Sequence, residues 1–287
     1  MQVKPVLQTF LNKETELLDV DYVVFGAPLD ETTSHRRGTR FGPGAIRRES
    51  RHLDTYSVRT GLDWGDLSLA DIGDVECPDV FKALEGITVT VDSFNGFPVM
   101  LGGEHTVTLG ALRSLEPDLV LVFDAHLDLR DELFGERMSH ATYLRRGYEE
   151  LGYKAVVLGA RALSAEEVKY AKATGDLRYM TALDMMRQDP VAMVQDVMRG
   201  SERIYVSLDM DVMDPSVAPA VGNPHPEGLT VTIVMDILES VMDERVCGLD
   251  VTEVYPHYDT GLTAATAAYL VMEALYSHAS QTGEPES

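Results

Sequence analysis

The chain has 287 residues, of which 45% are hydrophobic, and it carries a formal net charge of -23 with a sequence pI near 4.6. This charge argues against nucleic acid as a partner, because a phosphate backbone is bound by an excess of Lys and Arg. No run approaches the roughly 18 apolar residues of a membrane helix, and the first residues lack the apolar core of a signal peptide. We therefore expect a cytoplasmic protein without a membrane partner.

The excess of acidic residues has two interpretations. An acid-lined cleft would attract cationic ligands, whereas a solvated acidic surface would keep the protein soluble in high salt. The scarcity of Lys, with 6 against 18 Arg, suits the halophilic interpretation, which we favour. Cys77 and Cys247 are expected to be reduced thiols with no part in the chemistry.

Short apolar runs alternate with helical patterns along the chain. The runs predict strands at 22–25, 98–101, 119–123, 155–158, 204–208 and 246–249. Apolar residues at three- and four-residue spacing predict helices at about 164–173, 191–200, 231–243 and 262–278. Continuous apolar runs are typical of strands covered on both faces. The sequence therefore predicts a single α/β domain over 1–287, with three α/β/α layers, a mostly parallel central sheet, and a frayed tail at 278–287.

Polar groups follow several of the predicted strands. Asp124, His126 and Asp128 lie at alternate positions directly after 119–123, where extended backbone would point their side chains the same way. Asp209 and Asp211 repeat this spacing after 204–208. A single Asp-x-Asp at a strand end is more often a turn than a metal site. Two such pairs at one edge of a parallel sheet favour a common ligand.

His105, in the segment GGEH, adds a sixth group to this edge. Four carboxylates and two imidazoles would repel one another if they were buried without a counter-charge, so the set requires cations. Oxygen ligands with a little nitrogen suit Mn²⁺ better than a thiolate-preferring zinc site. The sequence thus predicts two Mn²⁺ per chain, which together can lower the pKa of a shared water.

These segments resemble the signatures of the ureohydrolase family, which includes arginases and agmatinases. The resemblance is carried by GGEH at 102–105, DAHLD at 124–128, SLDMDVMDP at 207–215, GAPLD at 26–30, RGTRFGPGAIRRES at 37–50 and DVTEVYP at 250–256. It implies an arginase-like fold and the hydrolysis of a guanidinium group to urea and an amine. Because relatives tend to form trimers or hexamers, it also implies a homo-oligomer.

The resemblance assigns a metal role to each of the six groups. It makes His105 and Asp128 ligands of one ion and His126 and Asp211 ligands of the other, while Asp124 and Asp209 serve both.

The resemblance also implies three catalytic residues. His140, in MSHATYLRR, is similar to the histidine that moves protons between site and solvent, a task that suits an imidazole at neutral pH. Glu253 is similar to the carboxylate that pairs with the guanidinium of the substrate. Asp128 would pass a proton to the leaving amine. The segment 221–230, VGNPHPEGLT, departs from the Gly-Thr-Pro stretch of the family. The resemblance therefore does not indicate how the pocket wall near this segment is built.

The substrate depends on the loop at 129–140. Arginases hold the α-carboxylate of arginine with an Asn shortly after DAHxD, and this loop has no Asn. Asp131 and Glu132 would repel a carboxylate and attract an ammonium, which favours agmatine as a small cationic substrate. Arg130 and Arg137 keep the acids guanidinobutyrate and formimidoylglutamate open. A catalytically silent metal-binding regulator or scaffold is the alternative outside the enzymes.

Overall fold

A computed structural model describes residues 3–12 and 20–283. Its strands, in chain order, are β1 (Val3–Lys4), β2 (Tyr22–Ala27), β3 (Leu69–Val75), β4 (Phe97–Gly102), β5 (Leu119–Phe123), β6 (Lys154–Ala160), β7 (Leu177–Thr181), β8 (Ile204–Asp209) and β9 (Val246–Thr252). They form one sheet in the order β1-β3-β2-β4-β9-β8-β5-β6-β7. Neighbouring strands are parallel, except that β1 runs antiparallel to β3.

The helices lie between the strands and after the last of them. They are α1 (Gly42–Ser50), α2 (Val80–Val91), α3 (Thr108–Leu115), α4 (Tyr143–Leu151), α5 (Ala165–Thr174), α6 (Ala182–Arg187), α7 (Pro190–Val197), α8 (Val231–Val241) and α9 (Leu262–Thr282). Within the described ranges, no helix is both long and apolar enough to cross a membrane.

Two hydrophobic cores lie on opposite faces of the sheet. Along β2, Val24 packs into the core beneath α1 and α6 to α9, whereas Val23 and Phe25 pack into the core beneath α2 to α5. Successive strand residues face opposite sides, so a strand covered on both sides is apolar throughout. The predicted three-layer α/β/α fold with a mostly parallel sheet is confirmed.

All six predicted strands are present as β2, β4, β5, β6, β8 and β9, but β3 was not predicted. Its sequence LADIGDV contains two aspartates, so it lacks the continuous apolar run from which the other strands were predicted. Asp71 is fully buried and accepts hydrogen bonds from Nε and Nη2 of buried Arg47, at 2.7 and 2.9 Å. A buried ion pair on β3 therefore replaces the apolar contacts that a strand prediction relies on. The edge strands β1 and β7 were also missed, being short or half-exposed.

The four predicted helices are confirmed as α5, α7, α8 and α9, and the capping box of Ser164 and Glu167 is formed. Helix α9 continues through Thr282. The prediction of a frayed tail is therefore wrong for residues 278–282. The rest of the predicted tail, 284–287, lies outside the described residues.

The sheet order places four strand ends next to one another. His105 follows β4, Glu253 follows β9, Asp209 ends β8 and Asp124 follows β5, and these four strands are consecutive neighbours in the sheet. Since the strands are parallel, these side chains meet at one edge, where loops leave room for a ligand.

Candidate metal centre

A pocket of about 510 Å³ opens at this edge of the sheet. Its buried lining includes His105, Asp128, Asp209, Asp211 and Glu253, with His126 partly exposed. Its outer lining is more exposed and includes Ser34, His35, Arg130, Phe134 and His140. The six residues predicted as metal ligands therefore cluster at or next to the base of one pocket.

His105 lies at the centre of the first group of metal-competent side chains. Its Nδ1 is 3.2 Å from Asp124 Oδ2, 3.2 Å from Asp209 Oδ2 and 3.3 Å from Asp128 Oδ2. His105, Asp124 and Asp209 present one atom each within 4.8 Å of one another, close enough to hold a single ion.

Nε2 of His105 faces two hydroxyls, that of Tyr143 at 2.8 Å and that of Ser207 at 2.9 Å. Ser207 Oγ donates to Asp250 Oδ1 at 2.6 Å, so it can accept from Nε2 when that nitrogen carries the ring proton. In that tautomer Nδ1 has a lone pair, and this buried nitrogen faces three carboxylate oxygens. A cation among these oxygens would satisfy the lone pair and the carboxylates together, so the residues fit a metal ion.

His126 forms the second group, and Asp124 belongs to both. His126 Nδ1 lies 2.8 Å from Asp211 Oδ2 and 3.4 Å from Asp124 Oδ1, while the other oxygen of Asp124 faces His105. His126, Asp124 and Asp211 again present atoms within 4.8 Å of one another. The arrangement offers two adjacent cation positions with a shared carboxylate.

The turns that carry these carboxylates are fixed by their own backbone. The amide of His126 donates to Asp124 Oδ1 at 2.6 Å, and the amide of Asp211 donates to Asp209 Oδ1 at 2.7 Å. An Asp that accepts from the amide two residues ahead forms a turn of its own, which is why Asp-x-Asp recurs at such positions.

The electrostatics of the cluster show a shortage of positive charge. Burial, with the nearby charge of Asp124, raises the pKa of Asp128 to about 7. Burial and the charge of Asp211 raise the pKa of Asp209 well above its ordinary value. Against the effect of burial, hydrogen bonds to the surrounding carboxylates raise the pKa of His105. Carboxylates that resist ionisation while imidazoles hold protons indicate a site that would be stabilised by added cations.

Glu253 lies beside the metal-competent groups with its carboxylate fixed on both sides. Oε1 accepts from the amide of His105 at 2.7 Å, and Oε2 accepts from the Tyr255 hydroxyl at 2.8 Å. Burial raises the pKa of Glu253 to about 8. Its backbone has φ 62°, and that of Asp128 has φ 51°, a left-handed conformation that side chains other than glycine rarely adopt. Strain of this kind collects at functional sites.

His140 lies on the outer lining, in contact with the loop that follows β2. Its Nδ1 is 3.2 Å from Thr32 Oγ1, and its Nε2 is 3.2 Å from Ser34 Oγ. Burial, reinforced by the positive charge of His126 and His105, lowers the pKa of His140 to about 4. The ring is thus held in the pocket wall between two hydroxyls, and no carboxylate in the described part of the chain bonds to it.

The predicted substrate loop is only partly at the pocket. Asp131 does not line it: its carboxylate is half-exposed and lies 2.7 Å from Arg146, 3.2 Å from Arg145 and 3.4 Å from Arg137. Glu132 does not line it either. The expectation that these two acids bind an ammonium of the substrate is therefore wrong. Neither acid lines the pocket, and Asp131 is already paired with arginines of helix α4.

Arg130, by contrast, does line the pocket. Among the residues that the structure describes, its guanidinium has no carboxylate partner. Glu167, the third residue of α5, supplies a further carboxylate to the lining, where Oε1 also accepts from the Leu129 amide and Oε2 from the amide and hydroxyl of the N-cap Ser164.

The divergent segment 221–230 forms part of the wall, with contacts that the sequence did not indicate. Gly222 packs against Tyr255, so closely that a Cβ would lie 2.9 Å from its hydroxyl. Arg161, directly after β6, donates to the carbonyls of His225 and Pro226 and also to that of Asp211. A lone arginine after a strand carries no pattern that predicts such a contact.

Known proteins resemble this chain over most of its length. A family profile described as the Arginase family matches residues 20–276. An agmatinase of Pyrococcus horikoshii is 37% identical over 263 residues, which cover 89% of this chain and 91% of that protein. A guanidinobutyrase of Pseudomonas aeruginosa is 36% identical over 282 residues, covering 91% and 87%. The crystal structure of the agmatine ureohydrolase of Thermoplasma volcanium superimposes with a TM-score of 0.89 at 33% identity, covering 96% and 95% of the chains.

Proposed function

The chain belongs to the arginase family and is a hydrolase of that family, and we propose which reaction it catalyses. We propose that it uses two Mn²⁺ ions to hydrolyse agmatine to urea and putrescine. The proposal is carried by one observation: two His and Asp groups share Asp124 at the base of a pocket that Glu253 also lines. Hydrolysis of a guanidinium needs an activated water and a carboxylate that holds the planar cation.

We assign His105 and Asp128 to one ion, His126 and Asp211 to the other, and Asp124 and Asp209 to both. The two oxygens of Asp124 face different histidines, which supports a bridging role. Four ionised carboxylates balance the charge of two divalent ions, and oxygen ligands with two imidazoles favour Mn²⁺ over Zn²⁺. When bound, such ions supply Lewis acidity and lower the pKa of water.

Glu253 would bind the substrate guanidinium. Each of its oxygens already accepts one protein hydrogen bond, which fixes the plane of the carboxylate and leaves lone pairs for a planar, two-pronged donor. A substrate held in one orientation reacts more readily because the entropy of alignment is lost on binding.

Asp128 and His140 would move the protons. Hydrolysis needs a base near the attacked carbon and an acid for the leaving amine, and Asp128 lies in the cluster beside His105. His140, nearer to solvent on the pocket wall, is placed to exchange protons between the pocket and water.

The far end of the substrate would meet the outer lining. Once four carboxylates are balanced by metal ions, the remaining charged lining consists of Glu253 and Glu167 against Arg130. Since Glu253 would pair with the guanidinium of any of these substrates, the far end meets Glu167 and Arg130, and the agmatinase relative supports the choice of an ammonium there. Agmatine presents two positive groups, so Glu167 replaces Asp131 as the candidate partner of its ammonium.

Guanidinobutyrate is the second candidate, and a specific observation favours it. Arg130 lines the pocket and has no carboxylate partner among the residues 3–12 and 20–283, and an arginine in that state can bind a terminal acid. The guanidinobutyrase relative is consistent with this alternative.

Urea release under saturating Mn²⁺ separates the candidates. We expect kcat/KM to rank agmatine above guanidinobutyrate and arginine by at least about 10², because an unpaired buried charge costs several kcal/mol. Glu167→Gln should lower kcat/KM for agmatine about tenfold, while Arg130→Gln should have little effect. Arg137→Gln is the matched control, since Arg137 is exposed and does not line the pocket.

The opposite ranking would overturn the choice of agmatine. If guanidinobutyrate is the better substrate and Arg130→Gln abolishes its hydrolysis, the enzyme is a guanidino-acid hydrolase. If no guanidino compound yields urea although two ions are bound, the silent metal-binding alternative is right.

We extend the proposal to assembly as a homo-oligomer. Near the pocket, Phe41 and Tyr258 are about 45% exposed, and the cations Arg40 and Arg36 stack on their rings. A trimer or hexamer would bury such surface. Light scattering that gives the mass of one 31.6 kDa chain would contradict this extension.

A further inference from the structure

Glu104 is a fully buried carboxylate next to the candidate ligand His105. It accepts four hydrogen bonds: Oε2 from the amides of Glu31 and Thr32, at 2.6 and 2.7 Å, and Oε1 from the hydroxyls of Thr32 and Thr106, at 2.6 and 2.8 Å. Three of these donors belong to the loop 31–34. Glu104 therefore holds this loop against the pocket wall.

The same loop holds His140. Thr32 Oγ1 accepts from the His140 amide at 3.0 Å and lies 3.2 Å from His140 Nδ1. Ser34 Oγ lies 3.2 Å from Nε2, on the other side of the ring. The imidazole thus lies between two hydroxyls, and that of Thr32 is bound to the buried carboxylate of Glu104.

The count of hydrogens at Thr32 assigns the ring proton of His140. A hydroxyl has one hydrogen and two lone pairs, and the hydrogen of Thr32 is donated to Glu104. Its lone pairs must then accept from the His140 amide and from Nδ1, so Nδ1 carries the proton. In the neutral ring, Nε2 is left with a lone pair towards Ser34 and the pocket.

We propose that Glu104 and Thr32 are positioning residues that fix the tautomer of His140, so that Nε2 is the atom that exchanges protons with the pocket. Ser34, which also lines the pocket, connects this nitrogen to solvent. The assignment of the tautomer depends on geometry alone, whereas its catalytic consequence rests on the proton-transfer role in the proposed function. Proton exchange at Nε2 moves no hydrogen between Glu104, Thr32 and Nδ1. The Thr32 hydroxyl keeps its hydrogen bond to Glu104, and Nδ1 keeps its own proton.

The two positioning residues have distinguishable variants. Thr32→Val removes the hydroxyl at nearly constant volume, and Thr32→Ser restores it. In Glu104→Gln, the amide oxygen can keep the backbone donors of the loop while its NH₂ group turns to Thr32. The Thr32 hydrogen is then released to His140 Nδ1, and the ring adopts the opposite tautomer.

We expect Thr32→Val and Glu104→Gln to lower kcat roughly 10- to 100-fold at unchanged KM and unchanged ion content, by analogy with lost partners of ligating histidines. Thr32→Ser should stay within about threefold of the wild type. Thr33→Val is the matched control, because the Thr33 hydroxyl donates to Asp30 and does not touch His140. The double variant Thr32→Val/His140→Ala should be no slower than His140→Ala, since both changes remove one function.

Nuclear magnetic resonance of ¹³C,¹⁵N-histidine in the enzyme loaded with diamagnetic Zn²⁺ reads the tautomer directly. We expect the Nδ1-protonated ring of His140 in the wild type and the Nε2-protonated ring in Glu104→Gln. The inference is overturned if the wild-type ring is protonated on Nε2, or if Thr32→Val slows the His140→Ala enzyme further. A wild type that releases no urea, but shows the expected tautomer, would defeat the proposed function and leave the positioning intact.

Discussion

Asp124 is the carboxylate that lies against both histidines of the cluster, whereas Asp211 lies against His126 alone. This difference makes a prediction for metal content. Asp124→Ala should bind fewer than one ion per chain, because both positions lose a ligand. Asp211→Ala should retain about one ion, at the position beside His105. Elemental analysis after dialysis against Mn²⁺ measures both, and an Asp124→Ala protein that still holds two ions would show that Asp124 does not bridge.

The carboxylates of the cluster also predict how the metal-free protein responds to pH. Folding raises the pKa of Asp128 to about 7 and that of Glu253 to about 8, chiefly by burial. A raised pKa means that the folded state binds more protons than the unfolded state, so stability is lost as pH rises through the folded value. We expect chelator-treated protein to lose up to about 1.4 kcal/mol per pH unit and group as pH rises from about 4 towards 7 for Asp128 and towards 8 for Glu253, with little further loss above these values.

The metal-loaded protein should show no such loss, since bound cations keep the carboxylates ionised. Urea denaturation at about pH 5.5, 6.5 and 7.5, with and without metal, makes the comparison. A chelated protein that grows more stable over this range would contradict the charge shortage inferred for the cluster.

At the residue scale, the sequence predicted which side chains gather but not what holds them. His105, Asp124 and Asp209 were identifiable because a strand end followed by spaced metal-competent groups is a pattern in one dimension. Glu104 and Thr32 are 72 residues apart and carry no such pattern. Asp131 was misjudged because closeness in sequence does not reveal the arginines of α4 that neutralise it.

At the scale of elements, Arg161 joins the end of β6 to two loops. Its guanidinium donates to the carbonyls of Gly159, Asp211, Val212, Met213, His225 and Pro226. Lys cannot reproduce this planar fork, and unsatisfied carbonyls cost about 1–3 kcal/mol each. We expect Arg161→Lys to lower the Tm by roughly 5 °C and to raise KM, because the pocket wall at Asn223 loses its support.

Arg187→Lys on the exposed side of α6 provides the control. Thermal unfolding of both variants is followed by circular dichroism. If the two Tm values fall by the same amount, or if neither falls, the hydrogen bonds of Arg161 do not stabilise the two loops.

The elements themselves were predictable where burial on two faces made an apolar run, as in β5 and β8. Strand β3 was not predicted because a buried ion pair takes the place of apolar residues. Helix α4, YLRRGYEEL, was not predicted because its buried side is narrow. Both are cases in which tertiary partners override the local pattern.

At the scale of the whole molecule, the net charge of -23 predicts how stability depends on salt. Repulsion among surface acids is screened over about 10 Å at 0.1 M salt and about 3 Å at 1 M. We expect the Tm to rise by roughly 5 °C between 0.1 and 1 M KCl and to rise further at 3 M, in one cooperative transition as predicted for a single domain. A Tm that falls with KCl would contradict the halophilic interpretation, and two transitions would contradict the single domain.

The position of β9 has a consequence for synthesis on the ribosome. This strand is the last of the nine that the structure describes, yet it lies in the middle of the sheet, between β4 and β8. Before it emerges, the nascent chain can build two half-sheets, one ending at β4 with His105 and the other containing β5 and β8 with the aspartates. Nothing in the strand pairing joins these halves until residues 246–252 are inserted. A nascent chain should therefore expose two central strand edges to chaperones, and it should complete the proposed metal site only after residues 246–252 have emerged.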